Sequence, residues 1–196
     1  WNIHGSLRAV TDRTFLRRYD ISRDDRLRST LEIQRISRSS YFSLAGWAFQ
    51  TLRSGEPQGQ VPIAIPIIDY RKRFSDVLGG RAEFQANSLL VGRTDGQDTQ
   101  RAFTSARWDM RRLTKGGQEL LFTAYARGDV YHTDETADTA TTLYQGTEGW
   151  NARAIGALAA EARWPLIGPL FGGTQRLTPR IQMVMTPATP NLRVPN

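Results

Sequence analysis

Several residue types are scarce or missing in this chain, and each absence narrows the functions it can have. The 196 residues include no cysteine, which excludes a disulfide framework and a thiolate metal site. The two histidines, His4 and His132, do not fall in HExxH or in another spacing that would hold a metal on one face. No nucleophile elbow or phosphate-binding glycine loop occurs. The sequence therefore predicts no enzyme: no catalytic site, no metal site and no cofactor.

Long apolar runs and lysine are also scarce. No run of about 18 apolar residues exists, which excludes a spanning helix but not spanning strands. Lys72 and Lys115 are the only lysines, so the net charge of +7 comes almost wholly from arginine. The arginines are dispersed at alternate positions and are not clustered on a helix, which argues against nucleic-acid binding. An anionic lipid or a saccharide phosphate is an equally suitable binding partner for this positive charge.

The chain is organised around a hairpin predicted over residues 61–93. In its second arm the odd positions 81–87 are polar, while the even positions 82–92 are small or apolar. Side chains of a strand alternate between faces, so this arm has one polar and one apolar face. It is also long enough to cross a membrane, since a tilted spanning strand needs roughly 9 to 11 residues.

The same plan repeats along the chain. We predict an all-β fold, an antiparallel up-and-down meander of about nine strands, the last of them over residues 175–185. The longer connections fall mainly at one end of the strands, which is typical of an outer-membrane barrel. Because nine is odd, and because the chain opens mid-pattern at Trp1, residues 1–187 are interpreted as a segment of a larger transmembrane β-barrel. Residues 188–196 are a Pro-rich loop or tail.

The predicted faces define the candidate site. Charged side chains of the polar face are expected to border an aqueous lumen, as mutually compensating charges and not as acid and base pairs. They are Arg81, Glu83, Arg107, Arg127, Asp129, Arg153, Glu161, Arg163 and Arg180. The opposite, uncharged stripe is expected to face lipid. Its members are Ala82, Phe84, Leu90, Leu120, Phe122, Ala124, Leu158 and Ala160.

Two further features concern the strand ends and one strand's pairing. Trp108, Trp150 and Trp164 lie toward strand ends, which favours an interfacial aromatic girdle over a soluble core. Pro62 and Pro66 fall in one predicted strand, and proline cannot donate to a ladder. They predict an edge, a bulge or a loosened pairing.

Five segments spread over the chain resemble the LPS-assembly outer-membrane protein family LptD, also called organic solvent tolerance proteins. They are RAVTDRTFLRRYD (8–20), YFSLAGWAFQTL (41–52), VPIAIPIIDY (61–70), FQANSLLVGRTDG (84–96) and TQRLTPRIQMVMTP (174–187). The arginine-rich composition looks like that of an alphaproteobacterial member. None of the segments is a catalytic signature, so the likeness rests on their order and spacing.

This resemblance implies a location and a set of partners. Members form a large barrel in the outer membrane of Gram-negative bacteria, in contact with outer-membrane lipid, and pass lipopolysaccharide to the outer leaflet. An LptE-like lipoprotein plugs the barrel, and periplasmic LPS-bridge proteins reach it through an N-terminal β-domain that this segment lacks. The charged face then becomes the surface that contacts lipopolysaccharide. The alternative is a soluble carbohydrate- or lipid-binding barrel of lipocalin type, which would purify without detergent.

Overall fold

The structure, a computed structural model, describes residues 1–136 and 147–187, whose regular secondary structure is almost entirely β-strand. Alternating sequences rich in aromatic and β-branched residues favour this pleated conformation. The strands are β1 Asn2–Ser6, β2 Arg26–Ile36, β3 Ser40–Thr51, β4 Ile63–Val77, β5 Gly80–Gly92, β6 Asp98–Leu113, β7 Glu119–Asp134, β8 Gly149–Arg163, β9 Leu166–Leu170, β10 Gly173–Leu177 and β11 Arg180–Met185. A one-turn helix, α1 Phe15–Arg18, and a 3₁₀ turn, Gln58–Gln60, lie in connections.

Nine strands form one antiparallel sheet in the order β1-β2-β3-β4-β5-β6-β7-β8-β11. Each strand pairs with the next along the chain until β8, which pairs with β11. The predicted up-and-down meander of nine strands is therefore confirmed. The sheet is open, with β1 and β11 at its edges.

The two ends of the sheet differ in their connections. At one end, the loop end, lie the connections 7–25, 52–62 and 93–97, and there β7 ends and β8 begins. At the other, the turn end, lie 37–39, 78–79, 114–118 and 164–179. All the turn-end connections except the last are short. The predicted asymmetry is therefore present, and connection 164–179 is its exception.

The hairpin predicted at residues 61–93 is β4 and β5. Its turn is Leu78 and Gly79, with φ of 50° and 70°. Positive φ at both central residues is the geometry that matches the twist of a hairpin, and glycine adopts it without strain. Trp108 Nε1 of the neighbouring β6 donates to the carbonyl of Val77 at 2.7 Å and ties this turn to the next strand.

The prediction of one last strand over residues 175–185 is wrong. Residues 166–177 form a separate hairpin of β9 and β10 that turns at Phe171 and Gly172, with φ of 52° and 76°. Pro179 then separates β10 from β11, because it has no N–H to give to a ladder. Only β11 joins the main sheet.

The two prolines of the β3–β4 region occupy different positions. Pro62 lies one residue before β4 begins, so it is not inside the strand. Pro66 lies at a shift in register, where pairing passes from Ala64 to Ile67 against β5. The pairing of β4 with β3 shifts at the same level. A bulge of this kind is one of the outcomes that the sequence predicts for Pro66.

Neither face of the sheet is covered by a second layer within the described residues. Buried apolar side chains are few among the described residues: Leu27, Ala45, Leu52, Val61, Ala64 and Tyr131. Of the described residues, none belongs to a helix long and apolar enough to cross a membrane. The predicted tail at 188–196 lies outside the described residues.

Candidate functional site

The register of the sheet divides the predicted site residues between two faces. Residues directly opposite each other on paired strands point to the same side. Asp109 lies opposite Arg81, Arg107 opposite Glu83, and Asp129 opposite Arg153. Continuing this pairing from β5 to β11 places all nine predicted charged residues on one side, which we call the arginine face.

The other side, which we call the apolar face, carries all eight residues of the predicted uncharged stripe. Its centre holds mostly alanine, leucine, phenylalanine and glycine. Ionisable side chains occur on it only toward the strand ends within the described part of β2 to β8. They are Arg35, Lys72 and Arg112 near the turn end, and Asp98, His132 and Asp134 near the loop end.

Asp129 is the centre of the largest charge cluster on the arginine face. Its side chain is only 2% exposed, and it accepts hydrogen bonds from Arg127 Nη2 at 2.6 Å and Arg127 Nε at 2.9 Å. Arg153 Nη2 approaches the second carboxylate oxygen at 3.3 Å and also donates to Tyr131 Oη at 3.1 Å. One buried carboxylate thus positions two guanidinium groups, and the cluster keeps a net positive charge.

An aromatic ring supports one of these guanidiniums. Phe103 lies opposite Asp129 on β6, and the Arg127 guanidinium carbon is 3.9 Å from the centre of its ring. Arginine stacks well on aromatic faces because its charge is delocalised over a plane. The stack therefore helps to hold this guanidinium in position beside Asp129.

Similar pairs repeat across the sheet at a spacing of two residues. Arg107 makes a two-point contact with Asp109, at 2.7 and 3.0 Å, and Thr123 Oγ1 donates to the same carboxylate at 2.7 Å. Arg163 contacts Glu161 through Nε alone. A spacing of two keeps both partners on one face of a strand. Each pair therefore forms within its own strand.

Two predicted arginines, Arg81 and Arg180, have no ion-pair partner among the described residues. Glu83 pairs with Arg73 at 3.0 Å and not with Arg107, which lies opposite it. The structure also adds Asp69, Arg71 and Arg73 of β4 to the arginine face. The sequence analysis missed these three residues, although the alternation in DYRKRF, residues 69–74, indicates that they share a face.

The predicted tryptophans lie near the two ends of the sheet. Trp108 is on the apolar face near the turn end, and Trp164 follows β8 at that same end. Trp150 is on the apolar face near the loop end, 4.5 Å from the ring of His132.

Ion pairs also fix the connections of the loop end. A hydrogen bond from Arg53, together with the charges of Arg53 and Arg17, holds the pKa of Asp25 below its ordinary value. Thr51 and Arg26 lower the pKa of Glu56 by hydrogen bonds. The Asp25–Arg53 contact joins connection 7–25 to connection 52–62, and the Glu56 contacts fasten connection 52–62 to β2 and β3.

Within residues 1–136 and 147–187, no three His, Asp or Glu side chains come together to hold a metal ion. The carboxylates of Asp109, Asp129 and Glu161 are all engaged by arginine. The arrangement suits a surface that attracts anions, since guanidiniums outnumber the carboxylates that hold them.

Comparison with known proteins agrees with this geometry. Residues 1–196 match the model of the family LptD, described as LPS transport system D. A search of curated proteins found no match to the chain. The match covers the whole chain, and the fold is an antiparallel strand meander. The chain therefore belongs to the LptD family, whose members are outer-membrane β-barrel proteins of lipopolysaccharide transport and assembly.

Proposed function

We propose that the nine-stranded sheet is part of the wall of an outer-membrane translocon that delivers lipopolysaccharide to the outer leaflet. In this arrangement the arginine face lines an aqueous lumen and the apolar face contacts lipid. The observation that carries the proposal is the uncharged centre of the apolar face, bounded by ionisable side chains near both strand ends.

The height of that uncharged centre supports a membrane location. On β7 it extends over residues 120–130. At about 3.3 Å per residue this is roughly 33 Å of strand, and at a tilt of about 40° it spans roughly 25 Å. That height equals the height of the apolar band on the outside of an outer-membrane barrel. An exposed apolar face of such extent is also unusual for a water-soluble protein.

The arginine face has the chemistry to guide a phosphorylated saccharide. Arginine stays charged at physiological pH, and its planar fork matches phosphate and carboxylate oxygens. Asp109, Asp129 and Glu161 moderate the positive field, so that an anion is attracted without being held permanently. Such a surface favours passage over tight binding.

By the rule that barrel turns are short on the periplasmic side, the turn end faces the periplasm and the loop end faces outward. Periplasmic LPS-bridge proteins then deliver their cargo toward the turn end. The LptE-like lipoprotein occupies the lumen, opposite the arginine face. Both partners belong to the proposal.

The test replaces Arg127 and Arg153 by glutamine in the full-length protein, with the double lysine variant as the matched control. Surface lipopolysaccharide and the amount of assembled barrel are measured separately. We expect the glutamine variant to lose surface lipopolysaccharide well beyond any loss of assembled barrel, and the lysine variant to keep part of it because the charge remains. Loss of barrel in step with lipopolysaccharide would make these arginines structural, and unchanged lipopolysaccharide would refute their role in transport.

A further inference from the structure

A pocket of about 410 Å³ opens at the turn end of the sheet, around the short connection between β2 and β3. We call it the rim pocket. Six of its lining residues matter here: Ser37, Arg38, Ser39, Tyr41, Arg71 and Arg73. Tyr41 lies opposite Arg71 in the register, and both belong to the arginine face. The rim pocket is therefore distinct from the Asp129 cluster, which lies nearer the loop end.

The backbone around the rim pocket is well supported. Ser37 N donates to the carbonyl of Ser40 at 2.8 Å, which closes the turn. Arg73 N donates to the carbonyl of Ser39 at 2.8 Å, and Lys72 Nζ donates to Ser39 Oγ at 3.1 Å. The connection is thus fastened to β4, and the pocket exists before any ligand arrives.

The arginines of the rim pocket retain hydrogen-bond donors that the protein itself does not use. Arg71 contacts Asp69 through Nε and Nη2, at 3.2 and 2.7 Å. Arg73 contacts Glu83 through Nε at 3.0 Å. No carboxylate of the described residues pairs with Arg38. A guanidinium has five N–H donors, so the remaining ones point to solvent or to a ligand.

We propose that the rim pocket binds the phosphorylated saccharide part of lipopolysaccharide as it enters the barrel, an inference that rests on the proposed function. Unused guanidinium donors match phosphate oxygens, while Asp69, Glu83 and the serine hydroxyls accept hydrogen bonds from sugar hydroxyls. The lining has three arginines against two carboxylates, so it is net positive. Its volume lies within the roughly 300–1,000 Å³ of small-ligand sites.

The experiment uses the full-length protein in its native complex, with a photoreactive phenylalanine analogue in place of Tyr41. A second variant carries the same analogue in place of Tyr125, on the arginine face in the middle of the wall. Adducts are identified by mass and by antibody, and normalised to assembled barrel. We expect a lipopolysaccharide adduct at position 41.

Arginine variants then test the chemistry of that adduct. Arg38→Gln should reduce it about tenfold, the loss that corresponds to one charge-assisted hydrogen bond. Arg38 is exposed and forms no ion pair within the described residues, so its removal leaves the turn intact. Arg112→Gln, also near the turn end but on the apolar face, is the control and should leave the adduct unchanged.

The outcomes separate the two proposals. A lipopolysaccharide adduct at position 125 but none at position 41 overturns the rim pocket alone. No lipopolysaccharide adduct at either position argues against the proposed function as well. An adduct of position 41 with a protein or a phospholipid, or one that Arg38→Gln leaves undiminished, also overturns the rim pocket.

Discussion

At the scale of single residues, the two neighbouring alanines of β8, Ala159 and Ala160, test the assignment of faces. They point to opposite sides of the sheet, Ala160 opposite Phe122 and Ala159 opposite Thr123. Ala160→Arg should lower the free energy of unfolding by about 1–2 kcal/mol, because the proposed arrangement places this charge in hydrocarbon between the midplane and the interface. Ala159→Arg should change it by less than about 1 kcal/mol. Reversible unfolding in lipid vesicles measures both, and equal effects would contradict the assignment.

Asp129 and Asp109 differ in burial, and this difference predicts different sensitivity to substitution. Asp129 is 2% exposed and serves two arginines, whereas Asp109 is 44% exposed and serves one. Asp129→Asn should reduce unfolding free energy by about 1.5–3 kcal/mol, because Arg127 and Arg153 both lose a charged acceptor. For Asp109→Asn we expect about 0–1 kcal/mol. Urea unfolding of the two variants in the same vesicles gives the comparison, and a smaller effect at Asp129 would mean that its arginines find other acceptors.

At the scale of elements, the alternation of side chains made most strands of the sheet predictable. On β7 the even positions from Leu120 to Val130 lie on one face, and the odd positions from Leu121 to Tyr131 lie on the other. This alternation is long enough that only one register places the side chains of both faces correctly. The hairpin of β9 and β10 was not predictable in this way, because PLIGPLFGGT has the glycines and prolines of a connection and no alternation. Pro179 is the one sequence signal that separates β10 from β11.

The bulge in β4 predicts a local weakness in the sheet. Pairing is interrupted between Ala64 and Ile67 toward β5, and Pro66 has no N–H to donate. Amides of residues 63–67 should exchange faster than those of residues 121–127 on the uninterrupted β7. Hydrogen exchange read by mass spectrometry compares the two segments in one sample. Uniform protection would show that Pro66 does not loosen the pairing.

The connections of the loop end should respond to pH. The pKa of Asp25 is lowered, so at neutral pH its ionised carboxylate forms stabilising contacts with Arg53 and Arg17. A carboxylate whose pKa is lower in the folded state stops stabilising that state as pH falls through the lowered pKa. For Asp25 this loss occurs below about pH 4. Spin labels at Thr11 and Ser54 should therefore separate or broaden in distance between about pH 5 and about pH 2. In Asp25→Asn the distance should be insensitive to pH, and an equal response would assign the change to another group.

At the scale of the whole molecule, the division into two faces could be predicted from sequence, but the specific partners within a face could not. Alternation assigns Glu83 to the arginine face, yet nothing local indicates that it pairs with Arg73 on β4 and not with Arg107 on β6. Such choices depend on twist and on side-chain length across three strands. The rim pocket was unpredictable for the same reason, since Arg38 and Arg71 are distant in sequence.

In the proposed arrangement, the two ionisable rims of the apolar face also fix the depth of the wall in the membrane. Arg35, Lys72 and Arg112 border one edge, and Asp98 and Asp134 border the other. Sliding the wall by two residues, roughly 7 Å along a strand, would carry one rim into hydrocarbon, at a cost that rises to about 2–4 kcal/mol for each cation at the midplane and is smaller for a carboxylate. We therefore expect quenching by brominated lipid to report one narrow depth each for Trp108 and Trp150, and broad distributions would exclude such vertical anchoring. In the proposed arrangement, a wall that cannot rise or sink holds its periplasmic entrance at a constant height, so successive cargo molecules meet it in the same position.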